Sequence, residues 1–494
     1  MAKVAVIGAG IGGLSVAARL AKAGHLVEIF EQSNVVGGKC RTEWIDGFAF
    51  DTGPSLLTLP AVYRELFTKT GKRLEHVLEL EPVDPAFAYK FADSKSLNFA
   101  NLSNQKTYSE ISQVLGQSPA KQWQAIIERA EKMWDASRID FIESELTSPL
   151  QLIRKPNFLK RLITIAPNQT LRNFGKKLNL DPHLQMIIDR YATYSGSDPR
   201  KAPAVLLTIA FIEATFGAWH IKGGIGQLAT ALLERNLQLG VKIQTNTEVV
   251  QILTEANTVS GIQLNDGQKL SFDIVVSNSD AQLTYENLIN SDSKSVLRAR
   301  KSISKVDKSL AGFSLLLGLK KSDIKLKHHN VFFPTDYDAE FDQIFKTKTP
   351  VTDPTIYICA PDDEKMVKDQ STESWFVLVN APLHDEQNGF NWKGQANQYG
   401  EKIIKKLDDL GLKVSERLIS KSFRSPLDLQ NYAFAPGGAI YGTSSNSPRA
   451  AFWRAKNRGA LNGLFLVGGS AHPGGGLPLV GISAEIVANA IGKA

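Results

Sequence analysis

Lys3-Val4-Ala5-Val6-Ile7-Gly8-Ala9-Gly10-Ile11-Gly12-Gly13 decides how the rest of the chain is read. Lys3 to Ile7 is short, apolar and β-branched, the pattern of a buried parallel strand. The glycines that follow fit G-x-G-x-x-G. Leu14 to Ala23 reads as a helix stopped by Gly24, Leu26 to Phe30 as a second apolar strand, and Glu31 stands at its end. Strand, glycine turn, helix, strand and acid in this order make a dinucleotide fingerprint. Gly8 permits the tight turn. Gly10 lets the backbone approach a pyrophosphate at the helix N-terminus, where unpaired N–H groups and the dipole favour anions. Gly13 lets the helix pack close to the strand, and Glu31 can accept hydrogen bonds from a ribose diol.

The chain has 494 residues, enough for two or three structural domains around a large core. Its composition, 43% apolar and 22% charged, is that of a globular protein without low-complexity tracts or repeats. Cys40 and Cys359 are its only cysteines, which suits a reducing cytoplasm rather than a disulfide framework. A strand beginning at residue 3 leaves no room for a signal peptide. The eight histidines show no ligand spacing, and the adjacent His328 and His329 are expected to point apart, so no metal is expected. The net charge of +7 gains meaning only from where it sits.

Residues 60–75 read as helical, with Pro60 near the first turn. Residues 82–115 alternate apolar and polar side chains and read as strands with turns; 118–145 reads as an amphipathic helix. From Thr147 to Leu180 there is no acid, while Arg154, Lys155, Lys160, Arg161, Arg172, Lys176 and Lys177 alternate with bulky aliphatic residues. That pattern suits a segment lying in the interface of an anionic membrane. Phe158 and Phe174 are its only rings, so base stacking is poorly served and nucleic acid is not expected. Ala202 to Trp219 carries Glu213 as its only charge and reads as a buried helix, or one lining an apolar channel. Glu213 is a candidate catalytic group, with a satisfied buried carboxylate as the alternative.

Trp219 to Gly226 is a glycine-rich turn leading into a helix, Gln227 to Leu239, and a strand, Val241 to Gln244. Residues 246–252 and 259–264 read as a small antiparallel sheet with Asn265-Asp266-Gly267 as its hairpin turn. Ile274 to Ser277 returns to the first sheet. Between 295 and 420 a separate module is expected, with strands Phe313–Leu319, Asn330–Phe333, Thr355–Cys359 and Trp375–Asn380 and a helix Gln395–Leu410. At the C-terminus the strand Leu464 to Val467 meets a glycine-rich loop, Gly468 to Gly481, and a helix Ile482 to Ile491: a second anion-friendly arrangement.

Gly37-Gly38-Lys39-Cys40-Arg41 and Phe50-Asp51-Thr52-Gly53-Pro54-Ser55 resemble the flavoprotein superfamily of amine oxidases, carotenoid desaturases and Rab GDP-dissociation inhibitors. Lys39 stands where Arg is common in that superfamily. The ending Leu464-Phe465-Leu466-Val467-Gly468-Gly469, continued by His472-Pro473-Gly474-Gly475-Gly476-Leu477-Pro478, is similar to that of bacterial-type phytoene desaturases. Gly469 stands where amine oxidases usually carry Asp, which favours the carotenoid branch. Arg190-Tyr191-Ala192-Thr193-Tyr194-Ser195-Gly196 resembles hydroxycarotenoid 3,4-desaturases as much as phytoene desaturases.

The resemblance implies an α/β fold with a discontinuous Rossmann-type FAD domain (1–80, 220–292 and 420–494). A substrate domain of mixed sheet and helices (81–219 and 293–419) is inserted, with 147–219 its helical membrane-contacting part. It implies FAD held by Gly8, Ala9, Gly10, Gly12, Gly13 and Glu31. Gly37, Gly38, Lys39, Arg41, Pro54 and Ser55 would add to the cradle, with Val249 at the adenine. Gly468, Gly469, Pro478, Leu479 and Val480 would stand at the flavin. His472 is a second catalytic candidate, with a loop-stabilising role as its alternative. The implied activity is hydride transfer from a long-chain isoprenoid to flavin, with quinone or oxygen as final acceptor. A peripheral place on the inner face of the cell membrane follows from such a substrate. Alternatives are a hydroxycarotenoid 3,4-desaturase, a flavin-dependent carotenoid isomerase, an amine or protoporphyrinogen oxidase, and a non-enzymatic prenyl-binding protein.

Overall fold

The computed structural model describes residues 1–146, 157–447 and 450–494. Its centre is a five-stranded parallel sheet. β1 (Lys3–Ile7) lies between β2 (Leu26–Phe30) and the strand Ile274–Ser277; Lys242–Gln244 and Leu464–Leu466 form the edges. Val4, Ala5 and Val6 are fully buried, as a central parallel strand covered on both faces requires. α1 (Ile11–Lys22) packs on one face between the helices Gln227–Gln238 and Leu477–Ile491. The other face carries a small antiparallel sheet, Val249–Glu255, Thr258–Leu264 and Lys269–Ser271, which buries Ile252 and Ile262 beside Val275.

The second sheet has seven strands in the order Leu418–Arg424, Ala311–Lys320, Thr372–Ala381, Ile356–Cys359, His329–Phe332, Phe87–Lys90, Ser96–Phe99. Only the pairing of His329–Phe332 with Phe87–Lys90 is parallel. The four strands expected between 295 and 420 are all present. Leu418–Arg424 straddles the boundary drawn at 419/420 and belongs to this second sheet.

Several expectations need correction. Residues 104–115, read as extended, form a helix capped by the Ser103 side chain, which accepts from Lys106 N. Only Thr107 and Ile111 are buried on it, so its apolar stripe is one turn long and is easily taken for alternation. Asn265-Asp266-Gly267 joins the second strand of the small sheet to a third, Lys269–Ser271. The first hairpin turns at Ala256 and Asn257, both left-handed. The run 202–219 is a short 3-10 turn, a nine-residue helix Thr208–Phe216 and the strand Ala218–Ile221. Gly217, at φ +76°, ends the helix. The last helix starts at Leu477 rather than Ile482, with Pro478 in its first turn, where the missing N–H costs nothing.

Among the described residues no helix is long and apolar enough to cross a membrane. Thr147 to Pro156, with Arg154 and Lys155, lies outside the described residues. The rest of the basic stretch forms the helices Phe158–Ile165 and Leu171–Lys177. Its charges divide. Arg161 pairs with Asp140, and Arg172 is held between Asp189 and Asp338. Lys160, Lys176 and Lys177 face solvent. Leu159 and Ile163 are 72% and 76% exposed, on the same helix as Lys160.

Candidate functional site

A cavity of about 1030 Å³ opens at the carboxyl ends of β1 and β2, at the top of the roughly 300–1,000 Å³ usual for small-molecule sites. Gly8, Gly10, Glu31, Gly38, Arg41 and Val249 line it, as the sequence leads one to expect. Gly8 has φ +93°. The Glu31 carboxylate accepts from Ala9 N (2.8 Å) through one oxygen and from Ser33 N and Oγ (both 2.8 Å) through the other. A carboxylate has about four acceptor positions, so a ribose hydroxyl still finds one.

The glycines make a cradle that only a bare backbone leaves open. A Cβ on Gly10 would stand 2.6 Å from Asn278 Nδ2; one on Gly12 would press on Asn278 Oδ1 and lie 3.1 Å from Gly468 Cα. The C-terminal loop is therefore seated directly against the fingerprint. Gly37 N donates to Ala9 O (2.8 Å), which lays the second glycine pair across the first. Arg41 Nε donates to Gly38 O at 2.8 Å, and its guanidinium lies 5.4 Å from the Tyr432 ring centroid. Arg41 is thus a cation held beside the cavity, which Lys308 also lines. Lys39 does something else: its Nζ donates to the carbonyls of Ile440 (2.8 Å) and Ala439 (3.2 Å). Burial brings its pKa down to about 8, against the pull of Asp280.

Ser55 Oγ meets the Tyr357 hydroxyl at 2.8 Å, which ties the turn after Gly53 and Pro54 to the second sheet. Gly468 takes φ +108°, and Gly469 O accepts from Arg454 Nη1 at 2.9 Å. Pro478, Leu479 and Val480 form the first turn of the last helix. Asn278, Asp280 and Tyr432 also line the cavity. Sequence reading passed over all three. Asn278 was findable, because it ends the strand beside β1 where the switch point of the sheet falls; Tyr432 had no local signal.

The two catalytic candidates are both engaged. The buried Glu213 carboxyl accepts from the Tyr194 hydroxyl at 2.5 Å. Burial raises its pKa, opposed by Arg190. Arg190 itself stacks on Phe87, Tyr194 and Tyr89 at 4.6, 5.0 and 5.8 Å. His472 is 3% exposed, and its Nε2 lies 3.0 Å from Ser144 O. Burial lowers its pKa to about 4, with a further push from Arg454. His472 is therefore neutral when folded and protonates first when unfolded. Its contribution is complete above about pH 6.5 and is lost as pH falls towards 4. The melting temperature of wild type minus that of His472→Gln should shrink across that window; a constant difference would contradict the buried neutral ring.

His328 and His329, expected to diverge, do not. His329 begins a strand and His328 precedes it, so strand alternation does not separate them, and their rings pack with centroids 4.5 Å apart.

The model of the family described as flavin containing amine oxidoreductase matches residues 11–294. The chain is 30% identical to the zeta-carotene-forming phytoene desaturase of Myxococcus xanthus, over 98% of this chain and 93% of that one. It is 30% identical to a 1-hydroxycarotenoid 3,4-desaturase of Flavobacterium sp., over 99% of each. It is 29% identical to the 4,4'-diapolycopene oxygenase of Methylomonas sp, over 99% of this chain and 98% of that one. The fold is similar to that of cyclohexylamine oxidase from Brevibacterium oxydans, with TM-score 0.60 and 15% identity over 99% of both chains. An oxidoreductase from Methanosarcina mazei gives TM-score 0.62 at 18% identity, over 99% of this chain and all of that one. The glycine cradle, the Glu31 carboxylate and the Arg41 cation fit the dinucleotide that these matches require. The chain belongs to the flavin-containing amine oxidoreductase family, in its carotenoid desaturase branch, and is an FAD-dependent oxidoreductase.

Proposed function

We propose that this enzyme desaturates a long-chain isoprenoid of the carotenoid class, passing hydride to FAD. What supports the reading most is that the match to carotenoid desaturases runs through both sheets and both chain ends, not through the cofactor domain alone. Bound FAD supplies the hydride acceptor. The protein supplies position and dryness. Glu31 takes the ribose, the glycine turns and the N-terminus of α1 take the pyrophosphate, and Arg41 balances its charge. Val249 meets the adenine. Gly468, Gly469 and the first turn of the last helix, Pro478 to Val480, present backbone to the flavin edge, where helix-terminal N–H groups favour added electron density. Hydride loss beside a conjugated polyene leaves a delocalised cation, and proton loss then completes the double bond. A strong base beside the reacting carbon is not required, which agrees with Glu213 and His472 both being tied up. Turnover would need an electron acceptor of the quinone or oxygen class.

The substrate is hydrocarbon, so the enzyme draws it from a bilayer. Leu159 and Ile163, with Lys160 beside them, form the docking tip on the inner face of the cell membrane. Each apolar side chain contributes about 1.5–3 kcal/mol when buried. Leu159→Ser with Ile163→Ser should therefore weaken binding to anionic liposomes by about 100-fold or more, without lowering the melting temperature. Unchanged liposome binding would remove this tip from the account.

A hydroxylated carotenoid is the second reading, favoured by the 30% identity to a 1-hydroxycarotenoid 3,4-desaturase. Anaerobic incubation of FAD-loaded protein with phytoene in liposomes and a quinone separates the two. Products lighter by two mass units per step, with longer-wavelength absorbance, are expected. No turnover of phytoene, but turnover of a hydroxylated carotenoid, would establish the second reading. Turnover of neither would sink both.

A further inference from the structure

The strand His329–Phe332 runs antiparallel to Ile356–Cys359, and their register sets His329 opposite Cys359. His328 folds its ring against that of His329. One donor atom from each of His328, His329 and Cys359 lies within 4.8 Å of the other two. His329 and Cys359 are buried, at 0% and 3% exposure. Nε2 of His328 and Nε2 of His329 are both buried without a hydrogen-bond partner. An unpaired buried polar atom costs about 1–3 kcal/mol, and here two stand together beside a thiol. One bound ion would satisfy all three.

We propose that His328, His329 and Cys359 form a binding site for a zinc-type metal ion, on the second-sheet side of Ser55. Two imidazoles and one thiolate are the donors that such an ion takes, with a fourth position left for water. At zinc–ligand bonds of about 2.0–2.3 Å, tetrahedral donors stand roughly 3.3–3.6 Å apart. From a spread of 4.8 Å the donors then close by about 1.2–1.5 Å. The surroundings are those a ligating histidine needs. His329 Nδ1 lies 2.8 Å from the Tyr357 hydroxyl. With Nδ1–H donating there and Tyr357 donating to Ser55 Oγ, Nε2 keeps its lone pair, since a hydrogen bond at one ring nitrogen fixes the tautomer of the other. On binding, the Cys359 S–H bond breaks, sulfur bonds the metal, and the proton leaves to solvent; nothing is oxidised or reduced. The added charge is offset by Asp363, which lies 2.8 Å from His220 Nε2; the His220 ring packs 4.8 Å from that of His328. The ion would join the two strands beneath Ser55.

The test uses untagged, FAD-loaded protein, stripped with a chelator and dialysed against micromolar zinc. One zinc per chain by elemental analysis is expected, with a melting temperature that rises with zinc concentration, as ligand linkage requires. Cys359→Ala and His328→Gln should lose the zinc and its thermal shift while keeping stoichiometric FAD, which shows that they fold. Wild type that retains no zinc would overturn the proposal. So would retention of one zinc by both variants.

Discussion

Gly13→Ala is expected to empty the cofactor site and lower the melting temperature together. A Cβ at Gly13 would press well inside contact with the carbonyl oxygen of Gly8 and lie 3.3 Å from Val6 Cγ1. The obstacle is main chain, not a side-chain tip that can turn. α1 must therefore lift from β1, carrying Leu14, Val16 and Leu20, all fully buried. Overpacking of this kind costs about 1–3 kcal/mol, and the helix N-terminus leaves the pyrophosphate position as well. Gly10→Ala makes the control. Its Cβ meets only the end of Asn278, at 2.6 Å, so it should weaken FAD retention and leave apoprotein stability near wild type. Flavin absorbance after gel filtration and apoprotein melting distinguish the pair. Gly13→Ala with full FAD and an unchanged melting temperature would refute the close helix–strand contact.

Arg172→Ala should cost about 3–5 kcal/mol, the range for removing one partner of a buried ion pair. Arg172 Nε donates to Asp189 Oδ2 at 2.7 Å, and its two terminal nitrogens grip Asp338 at 2.9 and 2.6 Å. The Asp189 side chain is 1% exposed. Without the guanidinium it keeps, among the described residues, only Gln185 Nε2, at 2.9 Å. Asp338 is 47% exposed, so Asp338→Ala should cost far less, within the 0–1 kcal/mol of a surface pair. The double variant Arg172→Met with Asp189→Leu should recover most of the loss. Urea unfolding of the four proteins checks the order. Equal, small losses from both single variants would mean that the pair is solvated.

Arg172 also shows where sequence reading stops. It sits in an acid-free basic stretch, and composition assigns it to a lipid-facing surface. Its partners are 17 and 166 residues away, so nothing local distinguishes it from Lys160, which does face solvent. The fingerprint was legible for the opposite reason. Gly8, Gly10, Gly13 and Glu31 act within one βαβ unit, where spacing alone dictates geometry. The strands of the second sheet were legible because Phe313–Leu319 and Trp375–Val379 are nearly continuous apolar runs. The helix 104–115 was not, since it buries two side chains and its cap at Ser103 falls inside a polar stretch. The start of the last helix was misplaced because five glycines precede it, and Pro478 carried the signal that was passed over. His328 and His329 fail the strand rule only because the strand begins between them.

The contact between Gly12 and Gly468 joins residues 456 positions apart (468 − 12). β1 is made before the other strands of its sheet, yet it lies in the middle, and the edge strand Leu464–Leu466 pairs with Ile274–Ser277 only after the 186 residues between them have been made (464 − 277 − 1). At roughly 5–20 residues per second, synthesis takes about 25–100 s. Between residue 277 and residue 464, about 9–37 s at that rate, the strand Ile274–Ser277 presents an open hydrogen-bonding edge, and the cradle lacks its Gly468 side. A nascent chain is thus exposed to mispairing until its final segment is released. A chain stopped short of residue 464 would hold neither the sheet edge nor the cofactor, so flavin retention reports on whether translation passed that point.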